Sequence, residues 1–332
     1  MSRPRVALIA DPTSPEGCSE YLAEAVALLT GAPPVRIDSR HFGTGGTGRG
    51  IRDGHRLRLQ VPAQDVDFTP DIVVLYEIPP HRRPELAAFQ RLLERHDVVT
   101  LGTGTAAWRT ATEKNLTVER FRRDGVAHME TLVLSRPTSQ EAKAAFDQLG
   151  RDTWARPVVG TGGNDTFHVT TDGRLRHAAA FYAERGTDWL LSRDAGNVTA
   201  DGQRHQFRVF VLGGRVVHAR EHLQPAPDTP CNTCQGATPV PIAPGDLPAR
   251  LTELAVAATG SVGLPFAGVD LAVENGGVVF EVNVQPAFVD GELDTVAVPY
   301  VRAHLDALTR ARGGHRGVGA PRETRPVPAA GS

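Results

Sequence analysis

Lysine is almost missing from this chain. Of 36 basic residues only Lys114 and Lys143 are lysines, which leaves 34 arginines. With abundant alanine, glycine and proline, this reads as the coding bias of a GC-rich genome. An arginine can therefore stand where chemistry usually wants lysine, and a lysine that persists is a candidate for a specific role. Neither sign of charge dominates: 36 basic residues face 38 acidic ones, for a net charge of -2. That argues against a protein held to nucleic acid mainly by phosphate contacts, and leaves room only for a local basic groove. Cysteines number three, an odd count that makes no disulfide framework. No apolar run approaches the length of about 18 residues that a membrane-spanning helix needs. The opening apolar run, residues 6–10, is too short for the core of a signal peptide, so the expected compartment is the cytoplasm.

What is present suits two or three ordinary domains. The chain has 332 residues, 40% hydrophobic and 22% charged, enough for a large core and against wholesale disorder. Strands are expected at residues 6–10, 35–38, 71–76 and 98–101, with helices over 19–30 and 84–95. Alternating strands and helices imply a doubly wound parallel α/β layer in the first hundred residues. A helix over 111–123, a strand at 131–134, a helix over 139–149 and strands at 154–159 and 167–170 make a small α/β unit. The last region is expected to begin near Trp189. It holds a hairpin around Gly213-Gly214, a helix over 246–259 capped by Gly260, a second hairpin over 269–284 and a helix over 293–312. Gly43-x-Gly45-x-x-Gly48 spells a dinucleotide fingerprint, but residues 51–60 alternate arginine with apolar residues and do not read as the helix that must follow. A mobile surface loop is the expected structure there.

The strongest chemical signal is the hairpin from Gly268 to Asn283. Asn275-Gly276 favours a two-residue turn, which pairs Asp270 with Glu281. Alternation then puts Asp270, Ala272, Val279, Glu281 and Asn283 on one face and Leu271, Val278, Phe280 and Val282 on the other. Two opposed carboxylates repel unless a cation sits between them. Two acids and an amide are oxygen ligands suited to Mg²⁺ or Mn²⁺, and Mg²⁺ in turn suggests ATP. An exposed acidic sheet face is the plainer alternative.

A strand enters a glycine loop at Arg156 to Gly163, where Gly160, Thr161, Gly162 and Gly163 offer backbone amides and a hydroxyl to phosphate oxygens. The loop lacks the Gly-Lys-Ser/Thr ending of a Walker loop. Arg156 is either a phosphate contact or a surface charge, and Lys114 falls on a predicted helix. Cys231-x-x-Cys234 invites a zinc or redox reading, yet only Cys18 is left to add. The plain reading has the two cysteines flank Asn232 in a substrate loop. His218 and His222 are candidate general bases or solvated loop residues. Trp154 and Trp189 suit the core better than an adenine platform.

Together these residues resemble the ATP-grasp superfamily of carboxylate–amine ligases, most nearly the branch of glutathione synthetase and the glutamate- or peptide-adding ligases, over about residues 70–310. The resemblance implies an ATP-grasp fold of α/β class: an N-terminal doubly wound domain over 1–105, a small α+β ATP lid over 106–188, a C-terminal ATP and metal domain over 189–312, and a disordered tail over 313–332. It places Lys114, followed by Gly125-Val126 and Thr131, on the ATP phosphates. Arg156 stands in for the family's second lysine before the Gly160-Thr161-Gly162-Gly163 lid loop. Arg208, which lacks the family's preceding acid, and Arg220 hold substrate and the transferring phosphoryl group. Asn232 and Gly236 match an asparagine–glycine segment, and Asp270, Glu281 and Asn283, with Pro286 behind, match the metal strands. The Gln-Glu pair often found at the family's adenine hinge is missing from residues 188–193, so adenine contacts fall to Leu190, Leu191, Ser192 and Arg193.

The implied reaction is attack of a carboxylate on the γ-phosphate to give an acyl phosphate, then displacement by an amine to form an amide, with ADP and phosphate released. The implied partners are a small-molecule acid and amine (amino acid or peptide), without nucleic acid or membrane, and a homodimer stays open. Natural-product assembly suits the GC-rich style of the sequence. The alternatives are a ligase acting on a peptide or carrier-protein partner, and a catalytically silent nucleotide-binding regulator.

Overall fold

A computed structural model describes residues 3–314 of the chain. The N-terminal sheet is parallel, with strand Val6–Ala10 between Val35–Asp38 and Ile72–Leu75. Its central strands are apolar on both faces because helices and loops cover both sides, as parallel sheets require. The fourth strand expected at 98–101 contracts to a single bridge between Ile72 and Val99. The glycine-rich stretch feeds a separate antiparallel sheet of strands Arg49–Asp53, Arg56–Val61 and Val66–Phe68. Leu57, Leu59 and Val61 point into the core while the alternating arginines face out. The dinucleotide fingerprint therefore lacks its helix. A Cβ on Gly46 would lie 2.2 Å from the His41 carbonyl oxygen, so this glycine serves close backbone packing.

Helix Cys18–Thr30 has no local side-chain cap, since Gly17 precedes it. Glu77 supplies one from 60 residues away. Its carboxylate accepts from the backbone N–H of Gly17 (2.6 Å) and Ser19 (2.7 Å). A negative charge at that helix end is favourable. It helps hold Glu77 at φ +60, a conformation unusual for a non-glycine residue.

The expected helix over 111–123 is two helices, Thr105–Thr112 and Lys114–Asp124, broken at the extended residue Glu113 and ended by Gly125 at φ +70. The small lid is an antiparallel sheet in the order Thr131–Leu134, Trp189–Arg193, Thr153–Pro157, Phe167–Val169, backed by helices Ser139–Gln148 and Asp172–Glu184. Strand Trp189–Arg193, expected to open the last region, is bonded on both sides within this sheet. Its pairing partners lie upstream, which puts the crossing to the last region after Arg193.

The largest sheet is antiparallel, in the order Thr238–Ile242, Arg215–Gln224, Arg204–Leu212, Phe266–Ala272, Val278–Asn283. Gly213 and Gly214, at φ +57 and +76, make the tight turn that the sequence indicated. The helix behind this sheet runs Ala249–Val262 and is capped by Gly263 at φ +78, three residues later than expected. One apolar core joins that helix, the sheet and the N-terminal layer, with Ile9, Val73 and Leu75 in the same cluster as Val209, Leu254 and Val269. A five-residue π turn, Leu293–Ala297, leads into helix Val298–Gly314. The tail expected from residue 313 lies outside the described residues beyond 314. No described helix is long and apolar enough to cross a membrane.

His304 is fully buried in the last helix. Its Nδ1 lies 2.9 Å from the Tyr300 carbonyl, and its Nε2 has no partner among the described residues. Burial depresses its pKa from 6.5 to about 4. Below the unfolded value the unfolded chain takes up a proton that the folded chain refuses, so stability falls as pH drops from 6.5 toward about 4. His304→Leu should flatten that fall by about 1 kcal/mol per pH unit or somewhat more. Urea midpoints at several pH values check this, and an unchanged slope would contradict it.

Candidate active site

The expected pairing of Asp270 with Glu281 is present, and Asn283 pairs with Gly268 on the same strands. The turn differs from the expected one. Residues 274–276 form a 3₁₀ turn, and a bulge follows between Asp270 and Leu271, so that Leu271 pairs with Val279. The bulge exchanges two side chains relative to strict alternation. Val279 turns into the core, 1% exposed, while Phe280 joins Glu281 at the cavity wall. The strand also gains a pairing on its outer edge at this point. Val279 donates from its N–H to Ala127 O (3.0 Å) and accepts from Met129 N–H (3.3 Å).

A cleft with about 920 Å³ of open space lies over this strand pair. Its polar floor is Lys114, Arg156, Arg208, Asp270, Glu281 and Asn283, and its roof is Gly160 to Gly163. Arg208 grips Asp270 with two bonds of 2.7 Å, Nε to Oδ1 and Nη2 to Oδ2. Burial works against the Arg208 charge, and the Asp270 carboxylate more than offsets it, so the guanidinium stays above its ordinary pKa. Lys114 opens its helix, and its Nζ reaches Glu281 Oε1 (3.2 Å) and the Gly160 carbonyl (3.1 Å). Burial pushes Lys114 below its ordinary value, opposed by Glu281 and reinforced by Arg156. Arg156 donates from Nη1 to the carbonyl of the bulged Phe280 (3.3 Å), and its buried Nε has no partner among the described residues. Burial lowers its pKa, against the pull of Glu281. Arg156 is thus a half-buried cation lining the cleft and no free surface charge.

The donor set fits a hard divalent cation. Asn283 spends its amide nitrogen on Gly268 O (3.3 Å) and Asp270 Oδ2 (3.1 Å), which leaves its carbonyl oxygen for a metal. A carboxylate has about four acceptor positions, so Asp270 can serve Arg208 and a cation together.

Other expected site residues are placed differently. Leu190 and Leu191 are fully buried in the lid sheet, with strands bonded on both sides, so neither faces the cleft. Ser192 and Arg193 do line it, although Ser192 also bonds Thr131 (2.9 Å) and Arg193 pairs with Glu130 (2.7 Å). Arg220 sits one strand away from Arg208 and is 1% exposed. Its guanidinium is committed to Glu292 (2.5 Å), His222 Nε2 (3.0 Å) and Ala287 O (3.0 Å). It is a framework cation and lines neither cavity. His218 and His222 are buried strand residues and not solvated loop histidines. Burial, Arg208 and Arg220 hold His222 down at about 2, so it stays neutral. Asn232 lines the cleft and caps its own turn by accepting from Cys234 N–H (3.0 Å). Burial pushes the Cys231 thiol up to about 12, whereas Cys234 is exposed. Trp189 is core, stacked on Tyr182. Trp154 is at the cleft, with His168 stacked on it at 4.6 Å and its Nε1 donating to Asp194 (2.6 Å).

Sequence reasoning missed the apolar wall of Met129 and Phe280, because the bulge leaves no mark in the alternation. It also missed a second cavity that shares Gly160, Thr161, Gly162, Arg208, Glu281 and Asn283 with the first and adds Glu16 and Arg83. Burial and Glu77 raise the Glu16 carboxyl above its ordinary value. Burial lowers Arg83 to about 10.

The placement of Arg220 predicts a stability effect. Arg220→Met should cost about 3–5 kcal/mol, because Glu292 is left buried with only His218 and the Val289 N–H beside its carboxylate. Adding Glu292→Leu should recover much of the loss in urea unfolding. Equal stability of Arg220→Met and the parent chain would show that the ion cluster carries no weight.

Comparison with known proteins agrees with this architecture. Residues 197–296 match the family model of the RimK-like ATP-grasp domain. A search of curated proteins found no match. Among solved structures, D-cycloserine synthetase DcsG superposes with a TM-score of 0.67 at 17% identity, covering 92% of this chain and 99% of that one. The D-alanine–D-alanine ligase from Coxiella burnetii gives 0.64 at 15% identity, over 95% and 97% of the two chains. The ATP-grasp ligase PsnB, complexed with minimal precursor, Mg and ADP, gives 0.61 at 15% identity, over 92% and 98%. The chain has the ATP-grasp fold, and the sheet that carries Arg208, Asp270 and Glu281 lies within the segment that matches the RimK-like ATP-grasp domain.

Proposed function

We propose that this chain is an ATP-dependent ligase that joins a carboxylate to an amine through an acyl phosphate and releases ADP and phosphate. The observation that carries the reading is the wall shared by the two cavities: the Gly160 to Gly162 loop, Arg208, Glu281 and Asn283 face both. In this reading the ATP phosphates lie under the glycine loop in the first cavity. The acid and amine occupy the second. Lys114, Arg156 and Arg208 spread the charge that develops on the transferring phosphoryl group. Mg²⁺ or Mn²⁺, held by Asp270, Glu281 and Asn283, supplies further neutralisation of phosphate charge when bound. The glycine loop keeps water from the activated acid, and no protein nucleophile is required.

Glu16 and Arg83 give the second cavity one acidic and one basic side chain. That pair suits a small substrate bearing both an ammonium and a carboxylate, an amino acid or the end of a short peptide. Arg156, which lines the first cavity with a buried Nε that meets no partner among the described residues, supports a phosphate site there.

The test supplies ATP, Mg²⁺ and pools of amino acids and short peptides, with hydroxylamine as a general amine. Hydroxamate and ADP should accumulate together in a carboxylate-dependent way. Formation of AMP and pyrophosphate would mean adenylation and overturn the reading. Asp270→Ala and Glu281→Ala should each lower kcat roughly 100-fold or more with the fold retained. Arg156→Lys should keep most activity, while Arg156→Ala should raise the KM for ATP and lower kcat. Wild-type kinetics in Arg156→Ala would remove that arginine from the phosphate site.

A further inference from the structure

The segment from Gln224 to Ala237 crosses between the large sheet and the lid, and it grips the lid at three separate points. At one end Asp228 accepts from Arg174 Nη2 (3.1 Å) and faces His168 Nδ1 (2.7 Å), both on the lid. In the middle Pro230 packs on Gly163 so closely that a Cβ there would lie 2.9 Å from Pro230 Cβ. At the other end Gln235 Nε2 donates to the Gly162 carbonyl (3.1 Å) and to Asn164 Oδ1 (3.1 Å). Gln235 is itself braced, because Gln224 Nε2 donates to its carbonyl (2.8 Å) and its N–H bonds Asn232 O (2.9 Å). Gly162 and Gly163 are at φ +67 and +73, a conformation glycine adopts readily, and the clasp joins the Asn164 N–H to Thr161 O bond (3.1 Å) within the loop and the Lys114 Nζ bond to Gly160 O (3.1 Å) in holding it.

We propose that this segment is a clasp on the glycine loop, with Gln235 as the positioning residue that holds the loop over the first cavity. Both hydrogens of one amide nitrogen are used, so Gln235 fixes two points of the loop with one side chain. The same segment lines the second cavity through Asn232, Thr233 and Cys234. A substrate that settles there touches the clasp directly. The clasp thereby ties the loop over the first cavity to a segment that lines the second. The clasp rests on the ligase reading only in assigning ATP to the first cavity.

Gln235→Glu keeps the shape of the side chain and removes both donors. Hydrogen–deuterium exchange of the full chain without nucleotide should show residues 158–166 exchanging about tenfold faster in the variant, with helix Lys114–Asp124 and the thermal midpoint unchanged. Mg²⁺ with ADP should bind several-fold more weakly, and the ratio of ADP formed to hydroxamate trapped should rise. If the variant folds poorly, Gln235→Met makes the same test without an added charge. Loop exchange equal to that of the parent chain in a folded variant overturns the clasp. If the parent chain binds no nucleotide while the exchange contrast persists, the ligase reading fails and the clasp stands.

Discussion

Three cations and two carboxylates share the floor of one cleft: Lys114, Arg156 and Arg208 against Asp270 and Glu281. Taking that many charges out of water costs several kcal/mol per ion after relaxation, and mutual attraction offsets this only when geometry is good. Arg208 and Asp270 meet the condition with their paired bonds. Lys114 and Glu281 meet it in part. Arg156 does not, since among the described residues its Nε is unpartnered and its guanidinium bonds a backbone carbonyl in place of a carboxylate. The cluster therefore carries a surplus positive charge and an unmet donor, and both are satisfied by an anion entering from the cleft. In the proposed function that anion is a phosphate chain accompanied by a divalent cation. Much of the surrounding structure serves this arrangement. Helix Lys114–Asp124 begins where it does to deliver its first side chain, and the lid strand Thr153–Pro157 delivers Arg156.

The bulge at Phe280 is the local device that makes the arrangement work. It turns Phe280 to the cavity wall, and the carbonyl of that residue accepts from Arg156. It also sends Val279 inward to seal the core beneath the charges. Low dielectric below and an open cleft above give the cluster a direction. Behind it, the Arg220–Glu292–His218 group braces the next strand without reaching either cavity.

Much of this was legible in the sequence because it rests on period-two alternation and on residue chemistry. The acids and amide of the hairpin, the glycine loop and the value of a rare lysine at position 114 are local signals, and Lys114 proved to be a buried member of the cluster while Lys143 pairs with Asp147 on a helix surface. The Asp270–Glu281 register itself holds because the longer turn and the bulge offset each other. What failed depended on distant partners. Strand Trp189–Arg193 is claimed by Thr131–Leu134 and Thr153–Pro157, which buries Leu190 and Leu191 away from the site. Arg220 is withdrawn by Glu292, 72 residues later. Glu16 and Arg83 come to the second cavity from the N-terminal layer, and no spacing in the chain announces that meeting. Sequence patterns report which face a residue takes within its own element, and tertiary pairing decides what that face meets.

The central claim is that a substrate carboxylate, and no group of the protein, takes the γ-phosphoryl group. The most direct test follows oxygen. A turned-over acid labelled with ¹⁸O in its carboxylate is incubated with ATP, Mg²⁺ and an amine, and the products are read by mass spectrometry. An acyl phosphate requires that one labelled oxygen leave with inorganic phosphate while ADP stays unlabelled. Label found in AMP, or unlabelled phosphate formed in step with amide, would contradict the account.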